Sequence, residues 1–172
     1  MCCLFHIYHT VVQIPAHLVN AKGWAGFVKL STRSRYGIRF MLDLALRYGE
    51  GPIFLKEIAK RQKVSDKYLG IIVLPLKSAG LIIAERGSHG GYMLSRDPAE
   101  ITLRDVVMAL EGSLSLVECV EAPDICPHSS RCVSRDVWIE LAGALEATLQ
   151  SRSLEDLVRK YRENNKIPSY NI

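Results

Sequence analysis

Two short helical patterns lie two residues apart in this chain, and a glycine-rich hairpin follows them directly. Residues 55–62 place Leu55, Ile58 and Ala59 on one side of a helix. Lys63-Val64 leaves room only for a tight turn, and Ser65 can cap a second helix over 66–79, with Gly80 as its stop. Residues 81–85 read as a strand, Arg86-Gly87-Ser88-His89-Gly90-Gly91 as a flexible turn, and 92–95 as the returning strand. A helix–turn–helix extended by such a hairpin is a winged helix. The plain alternative is a helical bundle with an incidental hairpin.

The flanking segments extend this frame. Ser31 or Thr32 can cap a helix reaching about residue 48, with Tyr36, Phe40, Leu44 and Ala45 at helical spacing and Gly49-Glu50-Gly51-Pro52 beyond it. Thr102 can cap a helix over 103–110, closed by Gly112. Residues 113–134 read as a loop holding Cys119, Cys126 and Cys132. A long amphipathic helix over about 135–150 follows, and Ser153-Leu154-Glu155-Asp156 resembles a capping box that opens a last helix to about residue 163. The expected fold is mainly α with a small β-hairpin, a winged helix–turn–helix followed by a long dimerisation helix. Its divisions are a DNA-binding domain over 28–112, a cysteine loop over 113–134, and the dimerisation and C-terminal helices over 135–172. Trp138, Leu141, Leu145 and Leu149 form a stripe that a chain of 172 residues has little other core to cover, so a homodimer is expected.

The first 27 residues stand apart. They hold Cys2, Cys3, His6, His9, His17 and Trp24 with no clear period, and they lack the charged start and small-residue cleavage site of a secretory signal. Val28 can be encoded by GTG, a bacterial start codon, and Lys22-Gly23 requires a purine-rich stretch shortly upstream. Residues 1–27 are therefore expected to be leader translated from a misplaced start, with a flexible arm as the alternative. No apolar run is long enough to span a membrane. A cytoplasmic location is expected, where clustered cysteines serve metals or redox sensing more often than structural disulfides.

The net charge of +4 is unevenly placed. Residues 28–112 hold 14 Lys/Arg against 9 Asp/Glu, whereas 113–172 hold 7 against 9. The basic excess falls on the helix–turn–helix, as phosphate contact requires, although a solvated basic face would look the same. The second helix of such a motif enters the major groove by its N-terminal end. There Ser65 can cap and face phosphate, Lys67 can reach a phosphate or a guanine edge, and Tyr68 can offer its hydroxyl or pack into the core. Residues 70–76 are apolar and are expected to pack inward, with Pro75 bending the helix. On the hairpin, Arg86 beside a tip free of bulky side chains suits a minor groove. The candidate DNA-contacting set is Ser31, Arg33, Ser65, Lys67, Tyr68, Arg86, Gly87, His89, Gly90, Gly91 and Tyr92.

Several motifs together resemble one bacterial regulator family, Rrf2. They are Leu30-Ser31-Thr32 with Arg35-Tyr36, Leu42-Asp43-Leu44-Ala45, Glu57-Ile58-Ala59, Val64-Ser65 with Tyr68-Leu69, Leu76-Lys77 with Ala79-Gly80-Leu81, and Arg86-Gly87 with Gly90-Gly91-Tyr92. Ile101-Thr102-Leu103 and Ala109-Leu110-Glu111-Gly112 continue the match, which runs on through the Trp138 helix. The resemblance implies a homodimer on a roughly palindromic operator. In many members it also implies an iron–sulfur cluster, two-iron or four-iron, on three cysteines of the loop, sensing iron, redox state or nitric oxide.

This chain departs from the cluster-bearing pattern in four places. Six residues rather than five separate Cys119 from Cys126. Arg135 stands where a histidine ligand is placed, and Arg35 where nitric-oxide sensors place an aspartate. Gly70 and Ile71 replace a Glu-Gln pair of the reading helix.

Three thiolates suit an iron–sulfur cluster that needs a fourth ligand, with His128, Glu118, Asp124, Asp136, a partner subunit or an external molecule as candidates. Zinc on the three cysteines and His128, a reversible disulfide, and three unligated thiols are the rivals. The expected function is a transcriptional regulator, a repressor, with an oxygen-sensitive cluster that aerobic handling can remove. The alternatives are a regulator without metal, controlled by a thiol switch or a docked protein partner. No nucleophile–base set, phosphate loop or acid pair points to an enzyme.

Overall fold

A computed structural model describes residues 31–87 and 90–166 of the chain. The expected leader, residues 1–27, lies outside the described residues, as do Ser88 and His89. Among the described residues there are seven α-helices and one hairpin: α1 (Thr32–Ala45), α2 (Leu55–Gln62), α3 (Asp66–Ser78), β1 (Ile82–Glu85), β2 (Gly91–Leu94), α4 (Leu103–Glu111), α5 (Glu118–Glu121), α6 (Val133–Gln150) and α7 (Leu154–Lys166).

Local chemistry sets each helix start. Ser31 caps α1 by accepting the Ser34 amide at 3.2 Å, and Ser65 caps α3 by accepting the Tyr68 amide at 3.2 Å. Thr102 and Asp105 form a reciprocal box at α4, and Ser153 and Asp156 form another at α7. The turn between α2 and α3 is closed by Lys63 in the left-handed region, φ 54°. A side chain there costs about 1–2 kcal/mol.

α1 is the central post. Phe40, Met41, Leu44 and Ala45 are buried with Ile58 and Ala59 of α2, Leu69, Ile72, Val73 and Leu76 of α3, and Val106 and Leu110 of α4. Gly37 allows α4 to come close, since a Cβ there would lie 2.1 Å from Leu110 Cδ1. The hairpin is antiparallel, with Ile82 opposite Leu94 and Glu85 opposite Gly91. Ile53 adds a third rung, exchanging both backbone bonds with Tyr92 at 2.9 Å.

The C-terminal part departs from the expected division. α7 returns to the core of the first domain, burying Leu154 and Val158 against α1. Backbone bonds from Leu103 N to Arg152 O (2.8 Å) and from Leu154 N to Ile101 O (2.9 Å) pin it there. This also corrects part of the apolar stripe on α6. Leu149 is only 8% exposed within a single chain, because the α6–α7 turn folds that end onto α4. Leu145 is half-buried, while Trp138 and Leu141 lie open together with Val133, Val137 and Ile139. No described helix is long and apolar enough to cross a membrane.

Replacing Lys63 by glycine should remove the left-handed strain and raise stability by about 1 kcal/mol. Phe40→Ala should lower stability by about 3–5 kcal/mol through the cavity it leaves. Urea denaturation measures both, and an unchanged midpoint for Phe40→Ala would contradict the assigned core.

Candidate DNA interface and cysteine loop

α2 is held on α1 by one buried carboxylate. Asp43 is 4% exposed and accepts from Arg61 Nη2 at 2.6 Å, Arg47 Nη1 at 2.9 Å and Gln62 Nε2 at 2.9 Å. The hydrogen bond to Asp43 raises the Arg61 guanidinium further above its ordinary value. α3 is then presented across α2 with Leu69, Ile72, Val73 and Leu76 inward. Lys67 is exposed at its first turn. Tyr68 is half-buried and meets Tyr36 edge to face, with centroids 5.7 Å apart, while the Arg39 guanidinium lies 5.1 Å from the Tyr36 ring. The expectation that residues 70–76 pack inward holds only in part. Ile71 and Leu74 are 52% and 66% exposed, because the helical period carries them round to the outer face.

The hairpin is held rigidly at its base. A Cβ on Gly90 would lie 2.5 Å from the Glu85 carbonyl oxygen, and one on Gly91 would lie 2.4 Å from that of Ile53. These two glycines are therefore fixed by backbone packing, whereas Gly87, φ 117°, faces open space. Tyr92 packs its ring edge-on against Phe40 at 6.3 Å and serves the core. Arg86 is exposed at the end of β1. It shares a cleft of about 420 Å³ with Lys77 of α3, Phe54 and Leu55 at the start of α2, and the carboxylate of Glu85 on the wing strand. No side chain caps α2 there, and its first turn carries Glu57. Lys77 belongs to the motif Leu76-Lys77 but not to the candidate DNA-contacting set. Its signal was the place of a lysine in the last turn of α3, seven residues before Ala84 of the wing strand.

Ser31 and Arg33 lie at the start of α1. Arg33 is exposed. The Ser31 hydroxyl is already engaged, because both Ser31 and Ser34 donate to Glu111 at the end of α4. Partial burial works to raise the Glu111 carboxyl, but the two hydroxyls and the charge of Arg33 outweigh it and hold the group below its ordinary value. The cysteine loop begins two residues later.

Within that loop Cys119 lies in α5, Cys126 ends a short 3₁₀ turn, and Cys132 occupies the N-cap position of α6. All three are free and half-buried. Arg135 donates to the carbonyls of Cys119 (2.9 Å) and Val120 (3.5 Å), clamping α5 to α6. The Ser134 hydroxyl, 3.1 Å from Cys132 Sγ, lowers that thiol, helped by the amides of Arg135 and Ser134. His128 is exposed. Among the described residues no three Cys, His, Asp or Glu side chains come together as a metal site. In this arrangement the three cysteines are not gathered to fit an iron–sulfur cluster or zinc, and Arg135, at the position where the cluster-bearing pattern places a histidine, is engaged with backbone carbonyls.

The Glu111 bonds give a pH signature. A lowered folded-state value means the contribution is fully present above about pH 4.5, the ordinary glutamate value, and is lost as pH falls through the lower folded one. Glu111→Gln should therefore be less stable than the parent at pH 7, and the gap should close on acidification below pH 4.5. Denaturation midpoints at several pH values check this, and a pH-independent gap would contradict the role.

Comparison with known proteins places this geometry. The family model Rrf2, described as "Iron-dependent Transcriptional regulator", matches residues 30–160. The chain is 43% identical over 132 residues to protein rrf2 of Nitratidesulfovibrio vulgaris, covering 77% of this chain and 88% of that one. Among solved structures, CymR, the global cysteine regulator of B. subtilis, has a TM-score of 0.65 at 40% identity over 78% of this chain and 98% of its own. The T. potens IscR has a TM-score of 0.68 at 36% identity, over 83% and 95%. The relatives are transcriptional regulators and not enzymes. With its winged helix and three-quarters of its length matched, the chain belongs to the Rrf2 family of transcriptional regulators.

Proposed function

We propose that this chain is a homodimeric repressor that lays α3 in the major groove of an operator and its wing along the neighbouring minor groove. The observation that carries this reading is the shared cleft. Lys77 of α3 and Arg86 of the wing, two cations against the single carboxylate of Glu85, line it together, as a phosphate strand running between the two reading elements would require. Lys67 extends the same positive face at the N-terminal end of α3. The open row of Trp138, Leu141 and Val137 on α6 supports pairing with a second copy. Two winged helices so joined would meet half-sites about 34–36 Å apart.

The cysteine loop is proposed as the sensing segment, acting in the cytoplasm. Cluster binding by Cys119, Cys126 and Cys132, with His128 as a candidate fourth ligand, would require the loop to leave the arrangement described above. A thiol switch is the second reading. It is favoured by three free thiols in one loop and by the lowered thiol of Cys132, and a disulfide would likewise require two of these thiols to meet. Control by a docked protein would use the same segment without metal.

Arg86→Ala should weaken operator binding by about 1–3 kcal/mol. Lys77→Ala should reduce the slope of affinity against salt by about one ion. Normal binding by Arg86→Ala across salt concentrations would remove the wing from the interface. Leu141→Glu, at a position exposed in the single chain, should give monomers in sedimentation.

Anaerobically purified protein should be brown with iron and sulfide if the cluster reading holds, and Cys126→Ala should lose both. Colourless protein whose loop forms a disulfide on oxidation would establish the thiol switch. Zinc without iron would refute the cluster.

A further inference from the structure

α3 turns an unusual face outward. Its inner side chains are all buried, yet Ile71 and Leu74, one helical turn apart, are 52% and 66% exposed. Single exposed aliphatics are ordinary, but two adjacent ones on the outer row of a short helix form a patch. Lys67 lies one turn before Ile71 and Lys77 one turn after Leu74, both exposed. Gly70 adjoins them, and a side chain there would meet no atom within 4 Å. A glycine in the middle of a helix costs about 1 kcal/mol relative to alanine, and in return it leaves the helix surface bare beside Ile71. Lysines at both ends select a polyanion as the occupant, in continuity with the cleft of Lys77 and Arg86. A duplex groove satisfies both demands, with phosphates at its edges and base edges at its floor.

Ile71 and Leu74 have no donor or acceptor, so hydrogen-bond readout is closed to them. On the floor of the major groove the one aliphatic group is the 5-methyl of thymine. Resting on the reading of this chain as an operator-binding regulator, we infer that Ile71 and Leu74 select thymine by packing on its 5-methyl group, with Gly70 allowing the helix to approach closely. The half-site therefore carries thymines under the middle of α3, and its sequence preference is set by methyl contact more than by polar pairing along that stretch. Loss of either side chain leaves the phosphate contacts in place and relaxes only the preference for thymine.

The test uses the full chain. Duplexes are enriched from a random library, and the enriched site is rebuilt with deoxyuridine in place of each thymine in turn, which removes the methyl and keeps the base pair. Uridine at a contacted position should weaken binding about fourfold, the equivalent of exposing one buried aliphatic carbon. In Ile71→Ala and Leu74→Ala that penalty should vanish, each at its own position, with the salt slope and melting temperature unchanged. Ile71→Val should retain part of it. Equal binding of the uridine and thymidine duplexes, or a penalty that persists in both variants, would overturn the inference while leaving operator binding intact. An enrichment that yields no specific duplex would overturn the operator reading and this inference with it. Variants that change the sedimentation of the free protein without changing methyl sensitivity would show the face to be a protein contact, and the inference would fall.

Discussion

Beside the apolar core, one buried carboxylate ties the helix–turn–helix to α1. Asp43 points from α1 into the α1–α2 junction and gathers Arg47, Arg61 and Gln62 around it. A carboxylate that far from water is tolerated only when its acceptor sites are filled, and removing one partner of such a set costs far more than the net worth of the pair. The cluster thus joins the end of α2 to α1 in addition to their apolar contacts. α3 follows α2 through the left-handed turn at Lys63, and the hairpin is joined through the Ile53–Tyr92 pairing.

A second set of polar contacts joins the other end of α1 to the approach of the cysteine loop. Ser31 and Ser34 both bond Glu111, the last residue of α4. From there the chain runs through Gly112 into the loop, and Arg135 ties α5 to the start of α6. A change in the loop therefore has a continuous covalent and hydrogen-bonded route to the base of the DNA-facing domain.

Most of the fold was legible in the residues because its signals are local. Ser65, Thr102 and Ser153 mark helix starts by their own hydrogen bonds, Gly80 and Gly112 mark ends, and the periods of α2, α3 and α6 follow from apolar spacing. The candidate site was legible in part. Lys67 and Arg86 stand exposed where charge and motif position put them. Tyr92 and the Ser31 hydroxyl are used within the fold, and Gly90 and Gly91 are held by a neighbouring backbone that no sequence pattern announces. The place of Lys77 at the cleft depends on where the hairpin folds back, which no local pattern in the sequence reveals.

The residues by themselves determined the helix–turn–helix, the hairpin and the grouping of three cysteines in one loop, since capping, periodicity and spacing act over a few residues. Only the tertiary structure decided which apolar side chains of α3 face out, that Leu149 is buried and α7 joins the common core, and that Arg135 clamps α5 to α6. Those outcomes depend on packing between elements distant in sequence, where each face is chosen by the partner it meets.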